Sequence, residues 1–169
     1  MSNINLLNRF LEYVILLIPL LLITGPLLSD IAIFLSMILI IIIFRRKIFD
    51  QIFSSNLNKV FIIFYFYLIF VCFLHPLKNN YFIESIIPSA FYFRYLFFLV
   101  AFNYIFINKK DFSSNLLKIL LAIVCLLSID IIKEYFFGQN LLGYKFNNAR
   151  IQSLFGDEWI VGSYINYIV

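Results

Sequence analysis

The stretch VILLIPLLLITGPLLSDIAIFLSMILIIIIF, residues 14–44, decides the fold class of this chain. It contains a single charged side chain, Asp30, and the pair Gly25-Pro26 divides it into two apolar halves. Gly suits the C-cap of a helix and Pro suits the first turn of the next helix. The stretch therefore predicts two apolar helices joined by a tight hairpin. Each is long enough to cross a lipid bilayer when the first is extended back to residue 6.

The composition extends this conclusion to the whole chain. Hydrophobic residues make up 63% of the 169 residues and charged residues only 13%, whereas soluble domains carry about a quarter charged residues. A soluble fold of this length could not cover so much apolar surface, so the sequence predicts an integral membrane protein. Within a bilayer the backbone must satisfy its own hydrogen bonds, and long apolar runs do so as helices. We therefore expect an all-α, polytopic bundle of transmembrane helices.

The apolar runs predict five full spans and the start of a sixth, all within a single transmembrane domain. About 20 mostly apolar residues are needed to cross a bilayer. The predicted spans are residues 6–24, 26–44, 60–75, 87–107, 115–137 and 159–169, the last of which is incomplete. A polar loop at residues 138–158 separates the fifth span from the sixth, and residues 45–59 form a short basic loop between the second and the third.

The distribution of Lys and Arg predicts a cytoplasmic N-terminus, because loops on the cytoplasmic side carry an excess of these residues. With that orientation, eight basic residues lie on the cytoplasmic side: Arg9, Arg45, Arg46, Lys47, Lys59, Lys109, Lys110 and Lys118. Four lie on the outer side: Lys78, Lys133, Lys145 and Arg150. Since the basic residues sit in short loops between spans, the net charge of +4 orients the protein and does not indicate nucleic-acid binding.

Two charged residues fall inside predicted spans at a similar depth below the outer surface. Arg94 lies about seven residues into the fourth span, roughly 10 Å at 1.5 Å per residue, and Asp130 lies about seven residues from the outer end of the fifth. Charges within a bilayer are costly and usually serve a purpose. Arg94 and Asp130 could form an ion pair that fastens the two spans, or Arg94 could hold a phosphate at the outer face. Lys133, three residues after Asp130, is an alternative partner for Asp130.

The predicted outer loop contains Arg150, the candidate functional residue of this loop. Its neighbours in the segment 147–153 include Asn, Gln and Ser side chains. A guanidinium is a planar fork of donors that binds phosphate bidentately, which Lys does less well. Gly138 and Gly143 predict a helix stop and a turn ahead of this segment. An outer loop with one Arg is also an ordinary topological feature, so the residue types alone leave both alternatives open.

Three segments together resemble the O-antigen ligase and O-antigen polymerase superfamily. They are YFRYLFF at residues 92–98, FFGQNLLG at 136–143 and RIQSLFGDEWIVGSY at 150–164. In that family an Arg-x-Ser-Gly-x-Phe motif or a close variant precedes a helix, and Arg150 matches the arginine of the motif. Leu154 stands where Gly is common, and Gly156 follows Phe155 instead.

The resemblance implies an enzyme of the bacterial inner membrane that acts at the periplasmic face. Its donor would be a glycan carried on undecaprenyl pyrophosphate, and its acceptor would be lipid A-core or a second lipid-linked glycan. The resemblance implies that Arg150, and with it Arg94, binds the pyrophosphate, and that no cofactor and no metal takes part. It also implies that the catalytic base lies in a large periplasmic loop beyond residue 169. The chain would then be the N-terminal part of a longer protein, with no catalytic residue of its own.

Two other functions are compatible with the sequence. A transporter fragment would show spans broken near the middle of the membrane, whereas the Gly25-Pro26 break falls at the end of a span. A non-catalytic membrane subunit or an inert fragment would bind no lipid pyrophosphate at all.

Overall fold

The structure, a computed structural model, describes residues 2–74, 81–143, 153–155 and 161–168. Every regular element in these ranges is a helix. Five helical stretches are long and apolar enough to cross a membrane: Ile4–Thr24, Pro26–Phe53, Asn56–Phe73, Ile86–Asn108 and Phe112–Phe137. The prediction of an all-α membrane protein is thereby confirmed.

The described helices are numbered in chain order. They are α1 (Ser2–Leu21), α2 (Pro26–Phe44), α3 (Ile48–Ser54), α4 (Asn56–Leu74), α5 (Tyr81–Phe91), α6 (Phe93–Asn108), α7 (Phe112–Phe137) and α8 (Val161–Ile168). Short 3-10 turns follow α1 and α2, and another covers Ser153–Phe155. Each predicted span up to residue 137 contains such a helix. The predicted start of the sixth span at residue 159 lies outside the described residues.

The hairpin between α1 and α2 forms at the predicted pair. Gly25 has φ 120° and ψ 169°, a backbone conformation that side chains with a Cβ rarely adopt. Its N–H donates to the Leu22 carbonyl at 3.4 Å, which closes the last 3-10 turn. Pro26 then begins α2, where its missing N–H costs nothing because the first N–H groups of a helix have no partner within it.

Two features differ from the predicted spans. The predicted fourth span is interrupted at Tyr92, between α5 and α6. There the Tyr92 N–H donates to the Ser89 carbonyl at 3.2 Å, three residues back, rather than four as in a regular α-helix. The second difference lies in the basic loop at residues 45–59, which contains the seven-residue helix α3. The sequence interpretation missed α3 because its apolar stripe, Ile48 and Ile52, covers only two positions.

The chain forms two compact units, and we describe each separately. The first comprises Met1–Ile15 and Ile31–Lys109, and the second comprises Leu16–Asp30 and Lys110–Val169. The prediction that the chain is a single transmembrane domain stays a prediction.

In the first unit, α4 packs against α3, α5 and α6. Its core includes the buried side chains Leu11, Ile40, Ala101 and Ile105. Asn103 of α6 donates to the Asn58 side-chain oxygen at 3.4 Å, and such amide pairs hold neighbouring spans together.

An ion pair in the first unit joins the middle of α1 to the residue that follows α6. Lys109 Nζ lies 3.3 Å from Glu12 Oε2. The pair holds the middle of α1 close to the end of α6.

In the second unit, α7 packs against α8 and the turn Ser153–Phe155. Ile123 and Leu127 of α7 are buried and form its centre, and Leu154 and Ile165 pack against them. The Tyr164 hydroxyl donates to the Pro19 carbonyl, which joins α8 to the end of α1. This unit contains the C-terminal end of α7, where the candidate site lies.

Candidate functional site

Two carboxylates lie buried near the C-terminal end of α7. Asp130 is 0% exposed and Glu134 is 1% exposed. They are four residues apart and therefore occupy one face of the helix. Burying a carboxylate is costly unless hydrogen-bond donors replace the water it loses. The donors that bind these two carboxylates therefore show which part of the chain packs against this face of α7.

Three of those donors come from the loop that follows α7. Asp130 Oδ1 accepts from the Leu141 backbone N–H at 2.6 Å, and Asp130 Oδ2 accepts from the Ser153 hydroxyl at 2.7 Å. Glu134 Oε2 accepts from the Ser153 backbone N–H at 2.6 Å. Hydrogen bonds to a carboxylate are short and stronger than those between neutral groups. Both carboxylates thus bind the same loop residue, Ser153, through different atoms.

Asn140 completes the attachment of this loop. Its side-chain Nδ2 donates to the Ser153 carbonyl at 2.6 Å, and Asn140 is itself 1% exposed. The Asn140 carbonyl in turn accepts from Lys133 Nζ at 3.3 Å. The Lys133 ammonium thus binds a loop carbonyl, and its predicted pairing with Asp130 stays a prediction. We call Asp130, Glu134, Asn140 and Ser153 the loop anchor.

Ser153 takes a conformation that its own residue type does not favour. Its φ is 52°, in the left-handed region, which is uncommon for residues other than Gly. Such a conformation persists where surrounding contacts determine it. Here the N–H, the hydroxyl and the carbonyl of Ser153 each have a partner in the loop anchor. The anchor therefore fixes both the position and the backbone direction of this residue.

The two glycines of the loop behave as predicted. Gly138 ends α7 in the left-handed conformation, with φ 71°, and its N–H donates to the Glu134 carbonyl at 3.0 Å. Gly143 has φ 86° and closes a turn by donating to the Asn140 carbonyl at 3.1 Å. Together they turn the chain back towards α7, which brings Leu141 within reach of Asp130.

An apolar cavity of about 360 Å³ lies beside the anchored turn in the second unit. Leu154, the residue after Ser153, forms part of its wall. The other wall residues come from the end of α1 and from α7: Leu20, Ile23, Thr24, Ile119, Ala122, Ile123 and Leu126. The anchored turn therefore presents a polar backbone to α7 and an apolar side chain to the cavity.

The carboxylates of the loop anchor accept hydrogen bonds from the chain itself. In the ranges that the structure describes, no three His, Cys, Asp or Glu side chains come close enough together to hold a metal ion. The identified partners of Asp130 and Glu134 are N–H and O–H donors of the chain itself. The effect of the arrangement is thus to hold Leu141 and Ser153 against the C-terminal end of α7.

Arg94 lies in the first unit, at the second position of α6. Its Nη2 donates to the Tyr95 hydroxyl at 3.3 Å, and its guanidinium carbon lies 5.1 Å from the centre of the Tyr95 ring. A guanidinium over an aromatic face gains a cation–π attraction. Tyr95 therefore orients this intramembrane cation, which is half-buried.

The other predicted site residues have different outcomes. Arg150 lies outside the described residues, so its role stays a prediction. Asp130 lies within them and anchors the loop. An ion pair between Asp130 and Arg94 stays a prediction.

Sequence reasoning missed Glu134, Asn140 and Ser153 as a cluster. A signal for Glu134 was present, because two acidic residues at i and i+4 near the outer end of a span are costly unless something covers them. Ser153 had no such signal. It lies 23 residues from Asp130 along the chain, and only the return of the loop brings the two together.

Comparison with known proteins adds no family to this description. No protein family matches the chain, and neither a curated protein nor a solved structure matches it. The resemblance noted from the sequence is therefore a basis for a proposal and not an identification, and what the structure establishes is a helical membrane protein with an anchored loop.

Proposed function

We propose that this chain is the N-terminal portion of a surface-polysaccharide ligase or polymerase of the bacterial inner membrane. In this proposal the protein is a multi-pass glycosyltransferase that uses a glycan carried on undecaprenyl pyrophosphate. It acts at the periplasmic face and transfers the glycan to lipid A-core or to a second lipid-linked glycan. The resemblance of residues 92–98, 136–143 and 150–164 to the O-antigen ligase and polymerase superfamily is the origin of the proposal.

The observation that carries the proposal is the loop anchor. Ser153 is three residues after Arg150. In the structure Ser153 is held by α7 through the loop anchor. A cation stabilises the negative charge that develops on a leaving group most effectively when the protein holds the cation in place before the reaction. We propose that holding Ser153, which follows Arg150 closely in the sequence, serves this purpose.

The apolar cavity beside Leu154 is also compatible with a lipid-linked substrate. A polyprenyl pyrophosphate has an anionic head and a long hydrocarbon chain. The wall of the cavity is formed by apolar side chains of α1 and α7. A hydrocarbon segment in this cavity would leave the pyrophosphate close to the anchored loop.

The proposed chemistry is a substitution at the anomeric carbon of the glycan. A hydroxyl oxygen of the acceptor forms the new bond to this carbon, and the bond from the carbon to the pyrophosphate oxygen breaks. The hydroxyl proton passes to a base, and undecaprenyl pyrophosphate leaves with the electron pair. Arg150 and Arg94 are proposed to stabilise the negative charge on the leaving group. The base is proposed to lie beyond residue 169, so this portion binds and does not complete the reaction.

The test uses the full-length protein with Arg150→Ala. Removing one preorganised donor to a developing anion typically costs about 100-fold in rate or more. We expect a loss of this size in the release of undecaprenyl pyrophosphate from the lipid-linked glycan, and a loss of surface glycan in cells. The amount of protein in the membrane should not change. Lys145→Ala, which removes another cation of the same loop, is the control and should retain activity.

Normal glycan transfer by the Arg150→Ala protein would contradict the proposed role of Arg150. A full-length wild-type protein that neither binds undecaprenyl pyrophosphate nor transfers glycan would contradict the proposed function as a whole. That second outcome is what a non-catalytic subunit or an inert fragment would give.

A transporter is the second candidate function, and one observation favours it. The helix from Tyr81 to Asn108 is interrupted at Tyr92, and interrupted spans are common in transporters. An assay of the purified full-length protein in detergent micelles separates the two functions, because micelles have no compartments between which a substrate could be transported. A glycosyltransferase would still consume its donor there, whereas a transporter would leave the donor unchanged.

A further inference from the structure

A short polar and aromatic segment lies between two apolar helices at one surface of the first unit. The helical stretch Pro26–Phe53 has 28 residues, whereas about 20 suffice to cross the hydrocarbon core of a bilayer. α2 alone has 19 residues, which gives it a length of roughly 28 Å. The next apolar helix, α4, begins at Asn56. The segment 45–54 therefore lies where the chain leaves the membrane and re-enters it.

The segment begins with three cations in one tight turn. Arg45, Arg46 and Lys47 form the 3-10 turn that ends α2, and all three are exposed. Arg45 has φ 47°, a left-handed conformation that is uncommon outside Gly and often marks a functional position. This residue breaks the helix and concentrates the three positive charges at the membrane surface.

The helix that follows has one buried face and one exposed aromatic face. Ile48 and Ile52 are 6% and 4% exposed and pack into the first unit. Phe49 and Phe53 are 66% and 57% exposed. They are four residues apart, so they form a second stripe on the helix. Aromatic residues beside cations are typical of helices that lie in the interface between headgroups and acyl chains.

A cavity of about 240 Å³ with a mixed polar and apolar wall lies next to this helix. Its wall contains four side-chain amides: Gln51, Asn58, Asn103 and Asn108. Gln51 is one helical turn after Lys47 and lies between Phe49 and Phe53 along α3. Asn58 Nδ2 donates to the Gln51 carbonyl and Asn103 Nδ2 donates to Asn58 Oδ1, each at 3.4 Å, so a hydroxyl group in this cavity would share hydrogen bonds with amides that already bind one another.

We propose that these three features form a binding site for an anionic glycerophospholipid. The phosphate contacts Arg45, Arg46 and Lys47, and the acyl chains pack against Phe49 and Phe53. The hydroxyl groups of the headgroup enter the amide cavity. The charge of the turn selects an anionic lipid over a zwitterionic one, and the amides favour a glycerol headgroup over a bare phosphate. This site is separate from the proposed glycosyltransferase function and does not depend on it.

The test measures lipid retention by the 169-residue protein. The protein is placed in nanodiscs of phosphatidylglycerol and phosphatidylethanolamine, and native mass spectrometry counts the lipids that stay bound. Each basic residue at an anionic membrane surface contributes roughly a fivefold preference. We therefore expect Arg45→Gln with Arg46→Gln to reduce the preference for phosphatidylglycerol about 25-fold.

Matched variants separate this site from general electrostatics. Lys110→Gln with Lys118→Gln removes two exposed cations outside this site and should reduce the preference by much less than 25-fold, because these cations have no aromatic stripe beside them to retain the lipid. Arg45→Lys with Arg46→Lys keeps the positive charge and should retain most of the preference for phosphatidylglycerol. An equal preference in the wild-type protein and in the Arg45→Gln, Arg46→Gln variant would overturn the proposal, because the basic turn would then only orient the chain.

The amide cavity has its own measurement. Gln51→Leu should lower the retention of phosphatidylglycerol several-fold and leave that of phosphatidic acid, which has no headgroup hydroxyl, unchanged. A parallel loss for both lipids would overturn the assignment of the hydroxyl groups to the cavity.

Discussion

At the scale of single residues, the arrangement around Ser153 depends on the hydrogen bonds that its donors make to two buried carboxylates. Asp130 and Glu134 have left water almost completely, and an unsatisfied buried acceptor costs about 1–3 kcal/mol, more when it is charged. Ser153 supplies a donor to each carboxylate. The same contacts hold Ser153 at a positive φ, whose cost the hydrogen bonds outweigh.

The pair Asp130 and Ser153 should show strong coupling. Ser153→Ala removes the hydroxyl donor and leaves Asp130 Oδ2 without its 2.7 Å partner, which we expect to cost about 1–3 kcal/mol. Asp130→Asn should cost a similar amount. The double variant should cost clearly less than the sum of the two, because each single change already removes the shared hydrogen bond.

Hydrogen exchange of the backbone around residues 138–143 reports these costs as local opening free energies. Asp111→Asn, at the other end of α7, is exposed and serves as the control. Strictly additive effects of the two substitutions would show that Asp130 and Ser153 do not act together.

At the scale of elements, α3 shows how a short helix is held by two residues. Its propensity cannot hold it, because a helix of seven residues is too short to be stable alone. Packing of Ile48 and Ile52 into the first unit provides the stability. The aromatic stripe on the other face, Phe49 and Phe53, stays exposed and is the part of α3 that we propose contacts the lipid.

Two truncations within α3 should therefore have opposite results. Ile52→Ala should lower the free energy of unfolding by about 2–4 kcal/mol, because Ile52 is 4% exposed and its loss leaves a cavity. Phe53→Ala should change it by less than about 0.5 kcal/mol, because Phe53 is mostly exposed. Denaturant unfolding in detergent micelles measures both. Equal losses would mean that α3 does not pack through the Ile face.

At the scale of the whole molecule, the predicted orientation places α3 in the cytoplasm and the loop 138–143 outside. A cysteine at each place tests it. We expect a membrane-impermeant maleimide added to intact spheroplasts to label Leu142→Cys and not Asp50→Cys, both of which replace exposed residues. The background is Cys125→Ser, because Cys125 is exposed and Cys72 is buried.

Labelling of position 50 alone would reverse the orientation. It would place the loop anchor and Arg150 in the cytoplasm, and a glycosyltransferase acting at the periplasmic face would then be excluded. Opening the spheroplasts should make both positions reactive, which controls for local accessibility.

Much of the fold could be predicted because its causes are local. Residues 14–44 specify two helices through apolar length, and Gly25-Pro26 specifies the turn through backbone conformation. The interruption at Tyr92 and the helix α3 were not predicted. Pro88, four residues before Tyr92, was a local signal for the first that the sequence interpretation did not use, because Pro disturbs a helix interior. α3 has no strong local signal, since it depends on what lies beneath Ile48 and Ile52.

The candidate site divides in the same way. The sequence by itself determined that the chain is a helical membrane protein, that Gly138 ends α7 and that Asp130 is a costly charge near that end, because length, backbone conformation and burial cost are properties of short segments. Only the tertiary structure decided what compensates that charge. Leu141 and Ser153 reach Asp130 from 11 and 23 residues away, and no local pattern encodes a contact that forms only when the loop returns to α7.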